Sequence, residues 1–559
     1  MSYLSRLPKV FAIDQHARWL PYPLLGLWQG LLLAASNVET SLMAHDEGWY
    51  ATLALGLVRS QDWLSPTWWG QLVYDKTSGV HWLIATAYQL FGVSETTARL
   101  PSGIACLAST FLLYAIGSTL LHRRAALLGA LCLSTIVIWT QYGQMATQDM
   151  PLVALELTVI WALLQAEQQP RRRLWWGTLA GLGFGLGFLI KGFMVALPTV
   201  ALLPYLVLNH RRHRHLFNPG LYLGFVLGLG LVAYWFLHLW QAHGSEPFNQ
   251  LFGILVLAAS EDYHGVGPWY YLWNIPANVL PWTPLVLLGL FYLIKSPPNH
   301  RALLTLGYPA GLLLLLQLFS TKTIYYPLQI YPFLGLYSGY ALHRILHTWQ
   351  STNRRPAIAT ALSGFYGLIA LVALVLSLGL LTGTWSKLGL FDAALQQELS
   401  VYSIPALVLS GLWLVYAISG LGKGRSQPHV WLSSLLIGPW LAIGLAGTSG
   451  LIGNYSSDIK DFCRQPAIAP VLAQHSVNVV LGDPVSRPDH QVWILTSFCS
   501  SQWGKRFLTL EDLGAGQYAW VAPDLVADLT AAPAATYQQL GTTRGWALVQ
   551  KLPSTVDLE

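Results

Sequence analysis

The sequence predicts a mainly α-helical, polytopic membrane protein with a small α/β domain at its C-terminal end. Three observations carry this. Of 559 residues, 54% are hydrophobic and only 10% are charged, against roughly 25% charged in a soluble globular domain. The apolar residues fall in long runs separated by short basic clusters. After residue 450, Asp, Arg, Gln and Pro return at the frequency of a soluble protein. The mean hydropathy is +0.46. The 25 Trp and 26 Tyr suit aromatic belts at the water–lipid boundary. A net charge of +6 is accounted for by cytoplasmic loops and by cations facing lipid phosphate, so no nucleic acid partner is expected.

The order of elements follows from length and charge. Residues 1–21 carry Arg6, Lys9 and Arg18 against Asp14 alone, which sets the N-terminus in the cytoplasm. The first apolar run, 23–38, is long enough to span and lacks a small-residue cleavage site, so it reads as a signal anchor. Basic clusters at 123–124, 171–173, 211–215, 295–301, 344–355 and 423–425 then mark the cytoplasmic side. Further spans are expected at 100–121, 125–141, 150–167, 174–190, 193–208, 219–241, 278–294, 302–320, 325–346, 357–382, 401–420 and 430–450, about thirteen in all. The run 81–91 is shorter than the roughly 17 residues a crossing needs. It is expected to lie along the membrane surface inside a first external loop, 39–99. Residues 1–453 thus form a membrane domain and 454–559 an external α/β domain. Within the latter, strands are expected at 477–481, 492–496, 518–522 and 546–549, with a helical turn at 525–529.

Acids are scarce, yet several follow the first span, among Trp49, Trp63, Trp68 and Trp69. Asp46 and Glu47 open the external loop. They suit the first turn of a helix, and either also suits a general base for an acceptor hydroxyl. Asp75 and Lys76 stand together later in the loop, as a surface ion pair or as part of a site. Lys191, in a two-residue external connection, and Lys322, before Tyr325 and Tyr326, offer cations and rings at the membrane surface. That pairing suits a polyprenyl phosphate, with rings on the tail and ammonium groups on the head; snorkelling and belt roles are the alternative. Asp149 sits at a span mouth, where it also suits a helix cap. With Asp75 and His264 it could hold a divalent metal ion. No Gly-rich phosphate loop is present, so no nucleotide is expected. Cys463 and Cys499 are the two cysteines of the external portion; an even count there favours a disulfide, with two free thiols as the alternative.

The motifs HDEGWYA, VYDKTSGVHWLIATAYQLFG, SETTARLPS, ATQDMPL, LIKG, HGVGPWYYL and STKTIYYPLQIYP occur in this order between residues 45 and 332. Together they resemble the bacterial dolichyl-phosphate-mannose-protein mannosyltransferase-like group, which includes the lipid A aminoarabinose transferases. The resemblance implies a GT-C fold, a catalytic acid in the first external loop and a polyprenyl-phosphate sugar donor. The expected activity is transfer of a hexosyl or pentosyl group to an envelope acceptor: a glycolipid, a polysaccharide or a protein hydroxyl. Asp46 and Glu47 are the catalytic candidates, and Lys76, Lys191, Lys322, Tyr325 and Tyr326 the donor-phosphate candidates. A transporter or flippase of lipid-linked sugars is the alternative, although no internal repeat is visible. Two departures stand out. Trp49 occupies the place of an Arg in the transferases' DE-x-R-Y motif, and Asp75–Lys76–Thr77 replaces their EKP. The sugar is therefore left open.

Overall fold

The computed structural model describes residues 19–260, 266–422, 427–531 and 536–553. Helices dominate, and a helix stands at or within each of the thirteen expected spans. Among the described residues, seven helical segments are long and apolar enough to cross a membrane by themselves. The number becomes eight if Tyr270–Asn278 and Thr283–Lys295, bent by 111°, count as one span. The remaining segments are shorter or broken. The expected span 125–141, for example, divides into Arg123–Leu133 and Val137–Tyr142. Thirteen crossings are thus not established by helix length.

The bundle core is a continuous apolar cluster that includes Leu113, Leu131, Trp139, Ile160, Trp282, Tyr331 and Trp431. Basic loops gather at one end. Arg173 donates to the carbonyls of His213 and Arg214, Asn209 Nδ2 to that of His300 (2.7 Å), and Arg301 to that of Thr119. His122 stacks on His343 with ring centroids 4.5 Å apart.

At the other end lies the first loop. A π-helical turn, Ala44–Gly48, leads into the helix Trp49–Ser60. A short hairpin of β1 (Thr67–Trp68) and β2 (Gln71–Leu72) follows, then the helix Gly79–Phe91. Gly79 lets this last helix press on the backbone of Leu189, where any Cβ would collide with the carbonyl oxygen. That contact fixes the end of the helix Arg173–Lys191, and so the place of Lys191.

The C-terminal region holds a five-stranded sheet of β3 (Ser476–Val480), β4 (Gln502–Phe507), β5 (Tyr518–Val521), β6 (Tyr537–Thr543) and β7 (Trp546–Lys551), in the order β4-β3-β5-β7-β6. β3 runs parallel to β4 and β5; β7 is antiparallel to β5 and β6. Residues 492–496 are not a strand. They lie in the helix Arg487–Cys499, which Ser486 caps by accepting from the Asp489 N–H (3.2 Å) and Pro488 opens. A parallel β3–β4 pair needs a crossover, and this helix is it. The unbroken apolar run reads as a strand only because the helix is buried on several sides. Cys499 ends this helix and is disulfide-bonded to Cys463, which ends Ser457–Cys463; their Cα atoms are 6.2 Å apart. The sheet region and the first loop share one core, in which Leu53, Leu57 and Ile84 pack with Ile459, Val479, Ile494 and Trp520.

Candidate active site

Three consecutive residues of the π-helical turn take three different roles. The turn is wide because the Gly48 N–H reaches back five residues to the Met43 carbonyl (2.7 Å). Its middle member, Asp46, is exposed and lines a cavity of about 420 Å³. Glu47 points the opposite way and is 0% exposed. Its carboxylate accepts from Arg99 Nε (2.5 Å) and Nη2 (2.8 Å), from the Ala146 N–H (3.1 Å) and from the Met43 N–H (3.0 Å). Glu47 is therefore corrected from catalytic candidate to internal anchor: four donors saturate it and it does not line the cavity. His45, on the other side, meets His490 of the helix Arg487–Cys499 at 3.0 Å between ring nitrogens.

Both histidines are held below their ordinary range. Burial, then the neighbouring His45, pushes His490 down to about 4. Burial, then Arg487, lowers His45 against the pull of Asp46. Near neutral pH the contact is thus a hydrogen bond between neutral rings, one donating N–H to the other's lone pair.

Two cations line the same cavity. Lys191 is 8% exposed and is paired with Asp149, itself 7% exposed. The Lys191 ammonium also sits 5.3 Å and 5.4 Å from the ring centroids of Tyr325 and Tyr326. Lys76 and Asp75 stand 3.8 Å apart at the rim, both partly exposed. Asp75 accepts from the Trp49 indole N–H at 2.8 Å. Trp49, at the place of the transferases' Arg, thus gives a neutral donor to a carboxylate.

The structure therefore brings Asp46, Asp75, Lys76, Asp149, Lys191, Tyr325 and Tyr326 to one cavity. Lys322 is corrected out of this group. It does not line the cavity, and its buried ammonium donates to the Phe319 carbonyl at 2.8 Å. Among the described residues no three His, Cys, Asp or Glu side chains cluster as ligands, and Asp149 is engaged by Lys191. His264 lies outside the described residues. Arg99 and the two histidines are site-forming residues that sequence reasoning missed. An arginine at a span mouth facing two adjacent acids was a signal for the first. Nothing in the sequence marks His490.

The chain is similar to known proteins in both sequence and fold. A family model described as dolichyl-phosphate-mannose-protein mannosyltransferase matches residues 75–238. The undecaprenyl phosphate-α-4-amino-4-deoxy-L-arabinose arabinosyl transferase of Pseudomonas paraeruginosa (strain DSM 24068 / PA7) is 30% identical over 429 residues, covering 74% of this chain and 73% of the relative. This chain belongs to that arabinosyl transferase family. The transferase is also 29% identical over 437 residues to the protein of the same description from Pseudomonas aeruginosa strain LESB58, with 74% and 73% covered. Its fold matches the crystal structure of ArnT from Cupriavidus metallidurans bound to undecaprenyl phosphate, with TM-score 0.73 and 20% identity over 96% of this chain and 99% of that one. The transferase is a multi-pass membrane glycosyltransferase with the GT-C fold, and the flippase reading is set aside.

Proposed function

We propose that the transferase moves a glycosyl group from an undecaprenyl-phosphate sugar to an envelope acceptor by single, inverting displacement, with Asp46 as the base. One observation carries this reading: the exposed acid shares a cavity with two ammonium groups and two tyrosine rings, while its neighbour Glu47 is locked inside. The acceptor oxygen attacks the anomeric carbon, and the carbon–oxygen bond to phosphate breaks. Polyprenyl phosphate leaves with the electron pair. Lys76 and Lys191 meet the charge that builds on the departing oxygen. Asp46 holds the acceptor hydroxyl in line and takes its proton. The transition state has oxocarbenium character, as in glycoside cleavage. The carboxylates of Asp46 and Asp75, which both line the cavity, suit the ammonium of a 4-amino sugar, such as the one named in the Pseudomonas relatives. Among the envelope acceptors, a glycolipid of the lipid A kind fits a cavity opening at the membrane surface.

The membrane placement belongs to the same reading. Residues 1–453 form the membrane domain and 454–559 the external one, in a plasma membrane with the N-terminus cytoplasmic. The contacts that gather residues 119–124, 173, 209–215 and 300–301 at one end of the bundle support it, since basic loops face the cytoplasm. The cavity then opens outside.

The decisive experiment is reconstitution with radiolabelled undecaprenyl-phosphate sugars, one carrying 4-amino-4-deoxy-L-arabinose and one a neutral hexose, and lipid A as acceptor. Label should pass from the amino-sugar donor to lipid A. Transfer from the hexose donor alone overturns the sugar assignment, and no transfer from either overturns the donor class.

A further inference from the structure

The acidic turn is held from two sides, and only one hold comes from the membrane bundle. Glu47 is fixed from within by Arg99. His45 is fixed from without by His490, 445 residues away in the chain. Asp46 lies between these anchors.

His490 is itself firmly placed. Its ring lies 5.4 Å from each of the Trp49 and Trp68 rings, centroid to centroid. The start of its helix is capped by Ser486 and tied to β7 by the Trp546 indole, which donates to Asp489 at 3.2 Å. Further along, Ser497 Oγ accepts from the Trp69 indole at 2.8 Å. The helix also presses on the turn itself, because a Cβ added at Gly48 would stand 3.1 Å from the Ile494 methyl. The His45–His490 bond closes this contact beside the cavity that both rings line.

We propose that His490 is a positioning residue for glycosyl transfer: through His45 it sets the angle at which the C-terminal region presents Asp46 to the acceptor. The role of the C-terminal sheet is then to hold the catalytic turn. This rests on the reading of Asp46 as the base. A misplacement of about 1 Å at the reacting groups costs on the order of 100-fold in rate. Releasing one of two anchors is therefore expected to lower turnover by roughly 10-fold or more while leaving the phosphate cradle of Lys191 and the tyrosines untouched.

The test measures turnover and undecaprenyl-phosphate affinity, with the thermal midpoint of each purified variant as the folding control. His490→Ala and His45→Ala should each lower kcat by that factor with unchanged Kd for undecaprenyl phosphate. The double variant should be no slower than either single one. His490→Asn, whose amide both donates and accepts, should recover part of the loss. Should His490→Ala fail to fold, the comparison passes to His490→Gln and His490→Asn. Turnover of His490→Ala within twofold of the parent overturns the proposal. So do multiplicative losses in the double variant, or a matching fall in phosphate affinity. Asp46→Asn is run beside them. If it stays active, the base assignment fails on its own, whatever His490 does.

Discussion

Asp46 and Glu47 are neighbours of the same charge with opposite fates, and the difference lies in what each meets. Asp46 faces the cavity. Asp46→Asn is expected to leave the fold intact and reduce transfer by on the order of 100-fold or more, as for loss of a general base; near-parental turnover in proteoliposomes would remove it from the mechanism. Glu47 is half of a buried, bidentate ion pair. Glu47→Ala should cost about 3–5 kcal/mol of stability, because Arg99 is left buried without its counter-charge, and this should read as a marked fall in the thermal midpoint. The sequence offered both acids but not their division of labour. Helix-opening propensity treats adjacent acids alike, and the partner that separates them lies 52 residues on. Lys191 and Lys322 divide in the same way: one meets a carboxylate and two rings in the cavity, the other a backbone carbonyl away from it. Lys191→Ala should weaken undecaprenyl-phosphate binding more than Lys191→Arg, measured as ligand-induced thermal stabilisation. Equal stabilisation of the alanine variant and the parent would leave Lys191 a purely structural partner of Asp149.

Among the elements, the helix Arg487–Cys499 decides most. Its apolar run suggests a strand; the Ser486 cap and Pro488 just before it mark a helix start, and the crossover that a parallel pair needs agrees with them. By contrast, the membrane helices and the short helix at 79–91 were legible, since their runs carry the length and periodicity of buried helices. This crossover helix bears His490, whose pKa stands at about 4 against an ordinary 6.5. The folded state then binds fewer protons than the unfolded chain between those values, so stability rises with pH across that window. The groups that face the pair are Arg487, Asp46 and Asp75. Acidification from pH 6.5 to 4 should lower the midpoint, and His490→Gln should flatten the slope. The same helix ends in the disulfide. Closing a loop across a sequence separation of 36 is worth roughly 4 kcal/mol in the chain-entropy account, so Cys463→Ser with Cys499→Ser should lower the midpoint at neutral pH as well.

At the scale of the whole molecule, the bundle has a basic end and an end that carries the cavity of Asp46 and Lys191. The proposed topology sets the first outside the reach of external reagents and the second within it. A Ser94→Cys variant should react from outside with a membrane-impermeant thiol reagent, because Ser94 caps the helix Glu95–Leu120 on the side of the first loop. Reaction only after permeabilisation would reverse the assignment. Cys106 and Cys132 are buried and should stay silent. Charge patterning made the basic loops readable as one set in the sequence, and the contacts among residues 119–122, 173, 209–214, 300–301 and 343 bring them together. Pairing between the first loop and the last hundred residues was not readable, because contacts at such separation leave no periodic trace.

That pairing imposes an order on biogenesis. Thr40, Ser41 and His45 bond to Lys460, Asn454 and His490, across 420, 413 and 445 residues. The ribosome therefore makes one half of each contact hundreds of residues before the other. The acidic turn therefore waits, half-held by Arg99, while the membrane helices insert one after another. The second hold on it forms only once residues 454–490 have been made. A nascent chain stalled before residue 490 lacks the His45–His490 hold on the acidic turn, and under the proposed role of Asp46 it should transfer sugar more slowly than the finished chain.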